Sequence, residues 1–557
     1  MSNDTGKTLL LGDEAVALGA LHAGVSASYG YPGTPSTEIL EYLIGEYRKK
    51  GPDGPGGPVA RWCSNEKTAL EGGLGVSFAG RRSLVTMKHV GLNVASDPFM
   101  NGALLSIKGG LVIAVADDPG MHSSQNEQDT RFYASFAQTP CLEPRNQQEA
   151  YDMTREAFEV SERFHIPVLL RLTTRLSHAR GAVIPAPGRS QNLLSKAEDK
   201  TQWMLLPAYA RRNYLSLLEK QQALEAWSTA HHTNKREGED KGLAVITSGL
   251  GGNYYEENLE DLAEARGGRF PARFHIAAYP LPVGPIRKLC EGAERILVLE
   301  EGQPFIEEKL RGILPLSAAI LGRRDGTVRR TGELDGDIVR EALGLPPRPN
   351  ILTSRKEVPP FDGTRLPGRP PQLCAGCPHG DSYETIKKAV AGLPSVAITA
   401  DIGCYSLGAT PPYSAIESIV CMGASIGMAK GAAEAGITHA LAVIGDSTFL
   451  HSGITGLIDA VVADLPMTVI ILDNSTVAMT GCQEPMLPGS RLPALIRGLG
   501  VREEHLLELE AKKQFLEENA ARLKVEIEYR GLSVVIFKRE CLESLRQRTA
   551  RARPRSF

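Results

Sequence analysis

The chain lacks the features that would direct it to a membrane or a nucleic acid. Among its 557 residues, apolar runs such as LVIAVA at 111–116 fall far short of the ~20 residues that cross a bilayer. No sign of charge dominates: 62 Lys and Arg stand against 65 Asp and Glu, a formal charge of −3. Nothing global therefore favours nucleic acid or an anionic surface. No cationic start runs into an apolar stretch, so a soluble, cytoplasmic protein is expected. No short-period repeat is visible, which argues against a solenoid. Nine cysteines, an odd number and widely scattered, argue against a disulfide framework and leave thiols or metal ligands.

What is present is alternation. Short aliphatic runs at 9–11, 83–87, 111–115 and 167–170 read as buried strands between small-residue helical stretches, the pattern of a parallel α/β sheet covered on both faces. GPDGPGGP at 51–58 is a loop by composition. The expected organisation is a first α/β domain at 1–185 and a polar connector at 186–241 with a helix at 215–227. A second α/β block at 242–345 has strands at 243–246, 274–277 and 296–299. After it come a Pro-rich linker at 346–371, a third α/β domain at 372–545 and a basic, disordered tail at 546–557.

The third domain carries the clearest chemistry. An apolar strand at 440–444 runs into Gly445-Asp446-Ser447, a helical stretch continues to 463, and a second strand at 467–472 delivers Asp473-Asn474. Glycine lets backbone approach a phosphate, a helix start offers N–H groups, and a carboxylate holds Mg²⁺. Asp446, the Asn474 amide oxygen and the Thr476 carbonyl make a hard-oxygen set suited to diphosphate-bound magnesium. A plain strand–turn–helix is the other reading of Gly-Asp alone. Thiamine diphosphate enzymes show Gly-Asp-Gly followed a few tens of residues later by Asn, and this segment resembles that signature with Ser447 in place of the last glycine.

Wider segments agree. GDSTFLHSGITGL (445–457) and LDNSTVAMTG (472–481) occur with YGYPGTPSTEI (29–39), NEKTALEGGLG (65–75), MKHVGLNVASDP (87–98), GMHSSQNEQDTR (120–131), CAGCPHG (374–380) and DIGCYSLG (401–408). Together they resemble the family of indolepyruvate ferredoxin oxidoreductase α subunits, in the 2-oxoacid:ferredoxin oxidoreductase superfamily. The resemblance implies several doubly wound, mostly parallel-sheet domains of the thiamine diphosphate-binding fold. The first binds the aminopyrimidine, the middle one is transketolase C-terminal-like, and the last binds the diphosphate. It implies that Glu66 is the carboxylate against the pyrimidine nitrogen, the hydrogen bond that activates the cofactor. By residue type alone, Glu66 only complements a helix dipole. Thr34 reads as a helix N-cap with Pro35 at the first helical position, and by resemblance contacts the 2-oxoacid carboxylate. Lys88, His89, Asn93, His122, Asn126 and Met479 are candidate pocket residues.

Cys374 and Cys377 open the third domain, Cys404 follows a strand at 397–399, and Cys541 follows one at 532–537. By residue type these four suit zinc or a [4Fe–4S] cluster; the family's chain order implies the cluster. Cys63, Cys141, Cys290, Cys421 and Cys482 read as core or pocket residues. Typical α subunits continue into a ferredoxin-like domain with two CxxCxxCxxxC runs, whereas only LESLRQRTARARPRSF follows Cys541 here. The implied activity is oxidative decarboxylation of an arylpyruvate. CoA takes the acyl group, a smaller β subunit completes the enzyme, and electrons leave to an acceptor protein, ferredoxin or another. A non-oxidative thiamine lyase and a non-catalytic scaffold subunit are the rival readings.

Overall fold

The computed structural model describes residues 6–50, 57–196, 199–348 and 371–552. Most of the 51–58 loop, nearly all of the 346–371 linker and the last five residues of the basic tail lie outside them. The chain forms two compact units, Met1–Phe361 and Asp362–Phe557.

The first unit holds a seven-stranded sheet in the order Ala278–Tyr279, Cys141–Leu142, Val168–Thr173, Leu111–Asp117, Ser83–Lys88, Ala27–Gly30, Val59–Trp62, parallel except for its first member. In the central strand Val112, Ala114 and Ala116 join one core, while Leu111, Ile113 and Val115 join another. Burial on both faces explains the continuous apolar run. A five-stranded sheet follows in the order Ile320–Leu321, Ile296–Leu299, Asp240–Ser248, Pro271–Ile276, Lys235–Glu237. Arg131, from the EQDTR end of the 120–131 motif, is wholly buried. It pairs with Asp129 at 2.5 Å and with Glu300 at 2.9 Å, tying the first sheet's helices to the turn after Ile296–Leu299. Breaking such a pair would strand a buried charge.

The second unit is a six-stranded, all-parallel sheet in the order Ser418–Ile419, Val396–Ala400, His439–Gly445, Met467–Asp473, Leu532–Lys538, Leu506–Glu510. Leu441, Val443, Ile470 and Leu472 face one core; Ala442, Ile444, Val469 and Ile471 face the other. Among the described residues no helix is long and apolar enough to cross a membrane.

Four expectations need correction. The run at 9–11 is not a buried strand of the parallel sheet: Thr8–Leu11 pairs antiparallel with Arg180–Val183 in a two-stranded ribbon, and Leu9 is 62% exposed. Three leucines give an apolar signal whatever their partner. The polar connector at 186–241 is not free of strand: it includes the edge strand Lys235–Glu237, whose side chains are all exposed, and charge on an edge strand blocks further pairing. Thr34 is not an N-cap. The helix begins at Thr37, and Thr34 and Pro35 occupy a turn in which Thr37 Oγ1 accepts from Gly33 N at 3.0 Å and Ser36 Oγ donates to Gly33 O at 2.8 Å. The tail is helical over Leu542–Ala552, because Leu, Ala, Gln and Arg are strong helix formers and Glu543 lies in its first turn.

Candidate active site

In the first unit the strand Ser83–Lys88 delivers Lys88 and then His89 to the sheet's C-terminal edge. Lys88 is 9% exposed and donates to Ser123 O at 3.1 Å. Burial lowers its pKa to about 8 against the pull of the Asp118 and Glu66 carboxylates. Asp118 accepts from Ser123 N at 2.8 Å, Ser124 Oγ at 2.7 Å and Thr174 Oγ1 at 2.8 Å. Ser123 Oγ in turn donates to the Thr34 carbonyl at 3.1 Å. His89 is buried, its Nε2 3.0 Å from Asn126 O, and its Nδ1 has no hydrogen-bond partner among the described residues.

Glu66 opens the helix Glu66–Phe78, but Asn65 does the capping, accepting from Thr68 N at 2.8 Å. A glutamate that merely complements a dipole faces water, whereas Glu66 is 5% exposed. Gly91 lies directly against it: a Cβ there would stand 2.7 Å from Glu66 Cγ and Oε1. Thr34, Glu66, Lys88, His89 and the Asn126 backbone thus converge. Asn93 and His122 do not share these contacts. The exposed Asn93 accepts from Tyr133 OH at 3.1 Å, and the exposed His122 lies 3.2 Å from Glu333.

In the second unit, strands His439–Gly445 and Met467–Asp473 pair with Gly445 opposite Leu472, so Asp446 and Asp473-Asn474 leave the sheet side by side. All are buried, as is Thr476. Asp446 accepts from Ser447 N at 2.8 Å. Burial, then the adjacent Asp473 carboxylate, holds its pKa well above the usual range. Two buried carboxylates side by side suit a cation. The Ser447 hydroxyl is buried without a partner among the described residues, as a group awaiting phosphate oxygen would be. Gly445 admits the Tyr405 ring, 2.6 Å from where a Cβ would stand. Tyr405 OH donates to Asp401, which accepts from Ser425 N and Oγ at 3.2 and 2.6 Å and so holds the start of the helix Ala424–Glu434. The donor set fits a magnesium–diphosphate group, with Asp473 as a carboxylate that the sequence reading passed over.

His379 was missed too. Asn474 Nδ2 donates to its Nε2 at 3.2 Å while Asn474 Oδ1 accepts from Thr476 N at 3.2 Å. Burial lowers the His379 pKa to about 4, so the ring stays neutral and can accept. It sits two residues after Cys377, linking the CxxC to the asparagine.

The cysteines gather in the same unit. Cys377 N donates to Cys374 O at 3.0 Å, with Gly376 at φ +76° between them. Cys404 is pushed up to about 12, first by burial and then by Cys377, Cys541, Cys374 and Cys482. Cys541 N donates to Asn474 O at 3.0 Å, so this cysteine lies against the backbone of the candidate magnesium ligand. Cys482 lies near Cys541: burial first, then the neighbouring Cys541, holds its thiol above the ordinary range. Cys421 is exposed, whereas Cys141 and Cys290 are core. Met479 is 58% exposed on the turn Ala478–Thr480.

Residues 18–240 match the family described as pyruvate flavodoxin/ferredoxin oxidoreductase, thiamine diP-bdg, and residues 401–498 match the thiamine pyrophosphate enzyme, C-terminal TPP binding domain. The indolepyruvate oxidoreductase subunit IorA of Methanothermobacter thermautotrophicus is 37% identical over 97% of this chain and 87% of its own length. The subunit IorA of Archaeoglobus fulgidus is 35% identical over 96% and 86%. The chain belongs to the IorA family of indolepyruvate oxidoreductase subunits. As an IorA relative it is a thiamine diphosphate-dependent oxidoreductase of 2-oxoacids, and its reaction is oxidative decarboxylation. A looser likeness, TM-score 0.48 at 16% identity over 57% of this chain and 62% of the other, is to a 2-oxoglutarate:ferredoxin oxidoreductase from Magnetococcus marinus.

Proposed function

We propose that the chain oxidatively decarboxylates an aryl 2-oxoacid of the indolepyruvate or phenylpyruvate type to the aryl-acetyl-CoA, in the cytoplasm and together with a smaller β subunit. Asp446, Asn474 and the Thr476 carbonyl would hold Mg²⁺ and the diphosphate. Cys374, Cys377, Cys404 and Cys541 would hold a [4Fe–4S] cluster that passes electrons to an acceptor protein. The observation supporting oxidative over plain lyase chemistry is the bond from Cys541 N to Asn474 O, which links one of these four cysteines to the asparagine that would hold the magnesium.

Bound thiamine diphosphate supplies the electron sink for carbon–carbon cleavage. Glu66 would hold the aminopyrimidine nitrogen. Lys88 supplies the positive charge for the substrate carboxylate, with the Thr34 hydroxyl and the orphaned His89 Nδ1 as further polar contacts. The apolar side chains of Val477, Ala478 and Met479 suit an aromatic substrate.

The direct test is anaerobic co-purification with the β subunit, metal and sulfide analysis, and assay of indolepyruvate, phenylpyruvate and pyruvate with CoA and a viologen. Iron, sulfide and aryl-acetyl-CoA are expected. Iron-free protein that releases aldehyde would make it a lyase, and zinc in place of iron would remove the electron route. Lys88 gives a separate prediction. A cation with a pKa near 8 is lost as pH rises, so KM for the 2-oxoacid should climb above pH 8. In Lys88→Ala it should be high and flat with pH, and equal pH profiles for the two would remove Lys88 from the carboxylate site.

A further inference from the structure

Helix Gln147–Phe164 carries Glu156, and helix Pro207–Ala230 ends at His231, where the chain turns through His232, Thr233 and Asn234. None of these residues belongs to the sites above. His231 Nε2 lies 3.1 Å from Glu156 Oε2, and the His231 and His232 rings stack with centroids 4.7 Å apart at 26°. One ligating atom from each of Glu156, His231 and His232 falls within 4.8 Å of the other two.

Zinc bonds of about 2.0–2.1 Å in a tetrahedron set neighbouring nitrogen and oxygen donors ~3.3 Å apart. The Glu156–His231 edge is already at that spacing. His232 is exposed and needs to close by at most about 1.5 Å to complete the face.

The surroundings match what a ligating histidine needs. Thr233 N donates to His231 Nδ1 at 3.3 Å and Thr233 Oγ1 lies 2.6 Å from it; metal at Nε2 would shift the ring proton to Nδ1, where Thr233 Oγ1 is placed to accept it. Asn234 fixes the turn, donating to Ser228 O at 2.7 Å and Ala278 O at 3.1 Å and accepting from Ala277 N at 2.7 Å and Ala278 N at 3.1 Å. Glu156 is a half-buried carboxylate whose Oε2 faces the His231 ring, so an oxygen donor stands beside the nitrogen donor.

We propose that Glu156, His231 and His232 form a site for one Zn²⁺, with water completing the shell on the exposed His232 side. The ion would clamp helix Gln147–Phe164 to the turn that leads into the five-stranded sheet.

The test uses the anaerobically purified complex with its cysteine site loaded, titrated with Zn²⁺ in competition with a fluorescent zinc indicator. Wild type is expected to bind one more Zn²⁺ per chain than His232→Ala, and Glu156→Gln to bind that ion at least tenfold more weakly. His232 is exposed, so its removal should leave the fold intact; melting temperature checks this. A second readout is Trp227, whose ring lies 5.6 Å from His231. With Trp62 and Trp203 replaced by Phe, Ni²⁺ should quench its fluorescence, and Zn²⁺ should reverse this. Equal zinc counts and affinities in folded wild type, His232→Ala and Glu156→Gln would overturn the site. So would absence of quenching.

Discussion

Glu66→Gln is expected to lower turnover about 10³-fold, within the ~10²–10⁴ range of a lost general acid–base group, while leaving affinity for thiamine diphosphate nearly unchanged. Asn65 already caps the helix, so the Glu66 carboxylate is not needed there. Gln keeps the volume and removes the charge, so packing against Gly91 persists. A structural role would reduce cofactor affinity and melting temperature together. A chemical role instead slows exchange of the cofactor's thiazolium C2 proton with solvent, which NMR measures on the bound cofactor. Gly91→Ala should act in the same direction, because its Cβ would come within 2.7 Å of Glu66 and force the carboxylate aside. If Glu66→Gln retains turnover within about threefold, the assignment fails.

The central strands of all three large sheets were legible from continuous apolar runs, because burial on both faces leaves no polar positions to mislead. Edges were not: Lys235–Glu237 looks like a charged linker since an edge strand must resist pairing, and Thr8–Leu11 looks like core since three leucines say nothing of their partner. The site residues divide in a similar way. Asp446 and Asn474 follow strand ends, where chain order predicts position, and the strand register sets them side by side. His379 and Cys482 reach the same region through contacts that spacing cannot express. One accepts from an asparagine far along the chain, and the other meets Cys541 across a loop. Asp473 was adjacent to a named ligand, and only its burial beside Asp446 distinguishes it from a strand-end carboxylate.

That carboxylate pair sets the second large effect, loss of magnesium-dependent cofactor binding in Asp446→Asn by about 10²-fold or more, above the 10–100-fold typical of groups behind a metal's direct ligands. The same residue gives the metal-free chain a pH signature. An unfolded aspartate loses its proton near pH ~3.9, whereas burial and Asp473 keep the proton on folded Asp446 to well above that. Between the two values the folded state binds more protons than the unfolded one, so this group's contribution to stability falls as pH rises and levels off above the folded pKa. Magnesium takes the proton's place, so saturating Mg²⁺ with thiamine diphosphate should flatten the dependence. Melting temperature measured from pH 4 upward, with and without the two ligands, reads both effects. Asp446→Asn should gain stability relative to metal-free wild type toward higher pH, because it removes the cost of holding a proton or burying two charges, and it should gain much less than wild type from the ligands. A variant that still binds magnesium and cofactor like wild type would show that Asp473, not Asp446, is the principal carboxylate ligand.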